Sequence, residues 1–116
     1  MLFKKLVKMG ADIIVLPTAW AIPNEIYNDS ESLKYAQDMW IAMARTRAYD
    51  NTAFIVISNQ TKKSNEQFSC IGNSLIVSPT AEIIANAKDQ EGAIYSDIDL
   101  QTIKYLRQIC PIAIID

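Results

Sequence analysis

Cys70 and Cys110 are the two thiols of this sequence, and a thiolate is the nucleophile that most readily forms covalent intermediates. Such a thiolate needs a base within hydrogen-bond reach. The sequence contains no histidine, which excludes Ser-His-Asp and Cys-His arrangements within these residues and removes the commonest zinc ligand. The cysteines form no CxxC pair. Cys70 falls where a strand begins and Cys110 where a helix ends, so both are expected to be small buried apolar residues. Asp97 and Asp99 stand two apart and suggest a carboxylate pair for acid–base work or a metal. The simpler assignment is that Asp99 caps a helix and Asp97 closes a strand. The three glycines are isolated, so no glycine-rich loop can cradle a phosphate. No metal and no cofactor is expected.

The polar and aromatic residues at strand ends are better placed for binding. Thr18-Ala19-Trp20 follows the apolar run Ile13-Ile14-Val15-Leu16, and ligands of α/β folds gather at the carboxyl ends of strands. Trp20 fits either a pocket wall or a buried anchor. Asn59 ends a second apolar run and could face the same space. Arg45 and Arg47 lie on a helix with an apolar opposite face, where ion pairs to Asp50 or Asp38 are the plain expectation. Asn51 is placed to fix the turn that follows that helix.

The elements that position these residues are readable from periodicity. Leu2, Phe3, Leu6, Val7 and Met9 mark an apolar helix face that Gly10 ends. Ile13 to Leu16 has the pattern of a strand buried on both faces, closed by Pro17. Residues 17–30 read as a loop, ending in a capping box with Asn28 as N-cap and Glu31 reaching back. A long helix then runs to about Tyr49, with Leu33, Ala36, Trp40, Met43, Ala44 and Ala48 on one face and a Lys34–Asp38 pair outside. Phe54 to Ile57 is a second strand, and the polar stretch Thr61 to Gln67 is a loop. Leu75 to Val77 and Glu82 to Ala87 form a hairpin across Pro79. Ala93 to Ile98 is a further strand. A last helix spans Leu100 to Ile109, capped by Asp99, with Leu100, Ile103 and Leu106 inward and Pro111 ending it. The apolar tail Ile112 to Asp116 has no evident partner. The sum is an α/β architecture: a mixed sheet with helices packed on one face, leaving the other face bare unless something covers it.

Composition narrows the class. With 116 residues, half of them hydrophobic, and a net charge of −2, the chain is long and apolar enough for a core. The two signs of charge are interspersed, so neither nucleic acid nor a charged membrane surface is an expected partner. The apolar runs are strand-sized, well short of the ~20 residues a spanning helix needs. The opening stretch is basic and apolar but too short for a signal peptide. Two unpaired cysteines fit a reducing cytoplasm.

Several segments, in order and in register, resemble the nitrilase superfamily of carbon–nitrogen hydrolases. These are Gly10-Ala11-Asp12-Ile13-Ile14-Val15-Leu16-Pro17-Thr18-Ala19-Trp20; Trp40 with Ala44-Arg45-Thr46-Arg47-Ala48-Tyr49-Asp50-Asn51; Phe54-Ile55-Val56-Ile57-Ser58-Asn59-Gln60; Gly72-Asn73-Ser74-Leu75-Ile76-Val77-Ser78-Pro79; Glu91-Gly92 with Asp97-Ile98-Asp99-Leu100; and Arg107 with Pro111. Ala81 departs from the family's usual glycine, Cys70 from a frequent aromatic, Asp50 from a glutamate, and Lys62-Lys63 from a common glycine.

The resemblance implies a C-terminal part of the family's α-β-β-α sandwich of two facing sheets. It also implies hydrolysis of a non-peptide amide or nitrile by a cysteine nucleophile, a glutamate base and an oxyanion-stabilising lysine. In the family all three precede the segment that resembles Gly10-Ala11-Asp12, so the catalytic set is expected outside this chain and the chain alone is expected to be inactive. Thr18, Ala19, Trp20 and Asn59 would contribute pocket wall. Trp40, Arg45, Arg47 and Asn51 would serve structure or a subunit interface. The implied partner is a second copy of this chain or a separate N-terminal half. A non-catalytic binding or interaction module is the alternative.

Overall fold

The computed structural model describes residues 2–111. Helix α1 (Leu2–Lys8) leads into strand β1 (Ile13–Thr18). Gly10, at φ +105°, makes the turn between them, and the amides of Gly10 and Ala11 bond back to the Val7 and Leu6 carbonyls. This is the left-handed helix stop that glycine permits without a Cβ penalty. Short strand β2 (Ala21–Pro23) and a single turn α2 (Asn24–Tyr27) precede the long helix α3 (Ser30–Asn51). Then follow β3 (Phe54–Asn59), β4 (Thr61–Ser64), β5 (Phe68–Ile71), β6 (Leu75–Val77), β7 (Ile83–Asn86) and α4 (Gln101–Ile109).

The main sheet has the order β1-β3-β6-β7, with β1 parallel to β3 and the remaining neighbours antiparallel. A second, three-stranded antiparallel sheet has the order β2-β5-β4. Residues paired across strands share a face, so the main sheet divides into two kinds of row. Ile14–Ile55–Val77 and Ile57–Leu75 point to one side and are buried. Helices α1 and α3 cover that side: Val7, Ala36, Trp40, Ala44 and Ala48 join those strand residues in one apolar cluster. Alanines at the contact let α3 lie close to the sheet. Val15–Val56–Ile76–Ala85 forms the row on the opposite side. None of its members is buried, and Val15 is 62% exposed. The expected mixed sheet with helices on one face is therefore present, and among the described residues the Val15–Val56–Ile76–Ala85 row of the other face is uncovered, although Phe54 at the start of β3 on that side is buried.

Several sequence expectations need correction. The run Ile13 to Leu16 is not buried on both faces: Ile13 and Val15 are exposed, with no described element packed over them. Pro17 does not close β1, which continues to Thr18; an edge strand tolerates a missing N–H. Residues 17–30 contain β2 and α2, and the N-cap of α3 is Asp29, whose side chain accepts the Ser32 amide at 3.0 Å, instead of Asn28. Met43 is exposed at the margin of the helical face. Thr61 to Gln67 includes β4, which is paired to β5. Residues 93–98 form no strand, and Tyr95 is 86% exposed. In α4 Ile103 is buried, but Leu100, which precedes the helix, is exposed. Asp99 still serves that helix, accepting the Gln101 amide at 2.9 Å. Cys110 is exposed, whereas Cys70 is buried as expected. The tail Ile112 to Asp116 lies outside the described residues.

Arg107 fastens α4 to the rest. It donates to Asp12 Oδ1 at 2.9 Å and to the carbonyls of Ala11 and Thr52 at 3.1 Å each. One guanidinium thus ties the last helix to the start of β1 and the end of α3.

Candidate functional site

The carboxyl ends of the two parallel strands place Thr18 and Asn59 side by side in register. Asn59 is only 6% exposed, so its polar atoms must find partners within the protein. Its Oδ1 accepts from the Thr18 hydroxyl at 2.9 Å and from the Trp20 amide at 2.8 Å. Its Nδ2 donates to the Gly72 carbonyl at 2.8 Å, and its own amide donates to Ser74 Oγ at 2.9 Å. The segment Thr18-Ala19-Trp20 is therefore gripped at both ends by one buried carboxamide, with Ala19 exposed between them.

The Trp20 ring lies flat on the Trp40 ring, with centroids 5.1 Å apart and planes 6° apart. Trp40 is buried in α3 and donates from its indole nitrogen to the Asn73 carbonyl at 3.0 Å. Asn73 is held in turn: its amide bonds to Lys88 O at 2.6 Å and its side chain to Ile71 O at 2.9 Å. Gly72 and Asn73 both have positive φ, at 67° and 57°. At Gly72 an added Cβ would sit 2.7 Å from the Lys88 carbonyl oxygen, so the close approach of the 72–73 and 88–89 backbones requires glycine.

Trp20 also walls an apolar groove of about 490 Å³ between β2, α2 and α3. Ile22, Ile26, Tyr35 and Met39 line it, with Asp29 and Glu31 at its rim. The Asp29 carboxyl is held below its usual range by hydrogen bonds from the Ser32 hydroxyl and amide, so it stays ionised there.

The remaining sequence candidates lie elsewhere. Arg45 donates to the Ala81 carbonyl at 2.8 Å, and Arg47 stands over the Phe3 ring at 5.5 Å. Among the described residues neither forms the ion pair expected with Asp50 or Asp38; Asp38 pairs with Lys34 at 2.7 Å. Asn51 caps the end of α3 by donating to the Arg47 carbonyl at 2.8 Å. Cys70 Sγ has Gln60 Oε1 as its polar neighbour, 3.9 Å away, and Cys110 ends α4 in the open. Neither sulfur has a base beside it among the described residues. No cluster of metal-ligating side chains and no helix suited to crossing a membrane occurs among them either. Sequence reasoning placed Asn59 near the loop but missed Gly72, Asn73 and Ser74 as its supports. The available signals were the Gly-Asn pair before the Leu75 to Val77 run and the family resemblance of the segment that contains it.

Comparison with known proteins gives the family context. A family model for the carbon-nitrogen hydrolases matches residues 2–108. The human protein described as omega-amidase NIT2 is 29% identical over 87 residues, covering 75% of this chain and 32% of the relative. The probable hydrolase nit2 of Schizosaccharomyces pombe is 31% identical over 111 residues, covering 93% and 36% respectively. The crystal structure of Saccharomyces cerevisiae Nit3, described as a member of branch 10 of the nitrilase superfamily, superposes with a TM-score of 0.73 at 25% identity. That superposition covers 95% of this chain and 36% of the yeast protein. The chain thus spans about a third of the length of the curated relatives it matches.

Proposed function

This chain belongs to the carbon–nitrogen hydrolase family, and we propose that it forms one wall of an amide-hydrolysing site of the omega-amidase kind, with the attacking thiolate, general base and oxyanion-stabilising amine supplied by polypeptide outside these 116 residues. The observation that carries this reading is the bare row Val15–Val56–Ile76–Ala85. A sheet covered by α1 and α3 on one side, with an uncovered apolar row on the other among the described residues, is half of a packed architecture, and facing sheets share a core about 10 Å thick. The identity of some of the relatives, whose descriptions read omega-amidase, supports a terminal carboxamide as the substrate class.

The chain's own contribution to such a site is shape and dryness. Trp20 presents a rigid aromatic surface backed by Trp40. Thr18 and Asn59 commit their polar side-chain atoms to each other, to the Trp20 amide and to the Ser58 and Gly72 carbonyls. A wall of this kind orients a substrate and keeps water from it, while the covalent chemistry falls to a thiolate with an adjacent base. Neither Cys70 nor Cys110 has such a base among the described residues.

The test is complementation. The chain is assayed on simple ω-amides alone, and then together with a polypeptide carrying the family's cysteine, glutamate and lysine. Ammonia release is expected only from the mixture. Turnover by the isolated chain, abolished by Cys70→Ser or Cys110→Ser, would overturn the proposal. A non-catalytic binding role draws on the groove beside Trp20. It predicts ligand uptake by the chain with no hydrolysis even after complementation.

A further inference from the structure

We infer that Asn59 is a positioning residue whose carboxamide sets the geometry of the Thr18–Trp20 wall and holds Trp20 flat against Trp40. The inference rests on reading that loop as part of the site, but its observable requires no turnover.

The argument is a count of bonding capacity. A carboxamide oxygen has two acceptor sites, and both donors that reach Asn59 Oδ1 come from the same short loop. The Trp20 N–H, which can only donate, fixes which end of the amide is oxygen, and the Gly72 carbonyl fixes the other end as nitrogen. With Oδ1 committed and the residue buried, the side chain acts on a ligand only through the loop it holds.

The second strand of the argument is that Trp20 is held twice from one place. Its backbone is tied to Asn59, which is tied to Gly72 O. Its ring is stacked on Trp40, whose indole N–H is tied to Asn73 O. Both chains of contact end on the consecutive left-handed residues Gly72 and Asn73. Asn59, the 72–73 turn, Trp40 and Trp20 thus close a circuit, and the wall cannot tilt without opening one of its links. Support of this kind gives a site its precise geometry.

The sequence contains two tryptophans, and stacked indoles give a far-UV circular dichroism couplet whose size follows the in-plane twist between their transition dipoles, so a change in how Trp20 lies on Trp40 alters it. The full chain is measured, or its complex if it is purified as one, and the spectrum of a Trp20→Phe variant is subtracted. Asn59→Ala is expected to lose more than half of the couplet while the helical signal of α3 persists. Asn59→Asp keeps both acceptor bonds to the loop, loses the donor to Gly72 and sets a buried carboxylate oxygen against that carbonyl. It is expected to melt at a lower temperature but to retain the couplet. Full couplet amplitude in a folded Asn59→Ala chain would overturn the inference. So would an Asp variant that loses the couplet as completely as the Ala variant. If Asn59→Ala fails to fold, the Asp variant decides alone by the same reading. Should the couplet follow expectation while the complemented chain hydrolyses no amide, the proposed function falls and the positioning role stands.

Discussion

Val15→Lys separates the stability of this chain from its association. Val15 is 62% exposed, and its neighbours across the sheet on the same face, Val56 and Ile76, are only partly covered. A lysine there loses a little apolar contact and leaves its ammonium in water. The cost to the chain's own stability is about 0.5 kcal/mol or less, as for other surface substitutions. If a second sheet covers this face, the same ammonium is caught between two apolar layers. An uncompensated buried charge costs roughly 3–5 kcal/mol. At about 1.4 kcal/mol per tenfold, that weakens association by two to three and a half powers of ten.

The assay has two readouts. Thermal unfolding of the chain as purified measures the first quantity, and calorimetric titration against the cysteine-bearing polypeptide measures the second. Gln108→Lys, on the exposed side of α4, controls for added charge away from this face. The expected result is an unchanged melt and lost binding for Val15→Lys, with both unchanged for the control. Binding of Val15→Lys within twofold of the unsubstituted chain would refute the reasoning, because the bare row would then not be the covered face.

Arg107→Met should destabilise the fold by about 2–3 kcal/mol, since it leaves Asp12 and two backbone carbonyls without their donor. Asp12→Asn should cost only about 1 kcal/mol, and a double-mutant cycle in urea should give about 0.5–1 kcal/mol for the pair itself, because Asp12 is partly solvated. Gly72→Ala should cost on the order of 2–4 kcal/mol by denaturant titration, since positive φ and a backbone oxygen at the Cβ position act together. Asp29 has a lowered folded pKa, so the stability its cap provides is present above the unfolded carboxyl range and is lost as pH falls through the lower folded value. The α3 helical signal should therefore weaken over that acid range, and Asn, an equally good cap, should remove the pH dependence in Asp29→Asn.

What could be read from the sequence was what local pattern determines. Continuous β-branched runs revealed β1 and β3, a hydrophobic run with a following turn revealed β6 and β7, and helical spacing revealed α3. The strands β2 and β5 escaped because three or four residues are too few to show a period, and β4 because Thr61-Lys62-Lys63-Ser64 is polar and has no alternation. It becomes a strand by pairing with β5, across a turn in which Asn65 Oδ1 accepts the amides of Gln67 and Phe68. The candidate site was half legible. Thr18, Trp20 and Asn59 stood out as polar or aromatic residues at strand ends. The roles of Gly72 and Asn73 depend on contacts that link distant parts of the chain, such as Trp40 to Asn73, and no local pattern encodes these. The expected salt bridges of Arg45 and Arg47 failed for the same reason: a carbonyl and an aromatic ring brought close by the fold took their place.

The failed strand at 93–98 is of a different kind. Ile94, Tyr95 and Ile98 have the composition of a strand, yet no backbone ladder bond forms along that stretch among the described residues. Strand stability comes from cross-strand pairing and from burial of a face, so a sequence can carry the propensity without the structure when no neighbour is present. The same deficit appears in the row that contains Val15, where side chains suited to a core meet no opposing layer. One concerns unpaired backbone and the other uncovered apolar surface, but both are requirements the described residues do not meet among themselves. Here the row carries valine, isoleucine and alanine without a charge, which is the composition of an interior. The physical case for a covering partner therefore rests on residues inside the described structure, and the Val15→Lys titration addresses it directly.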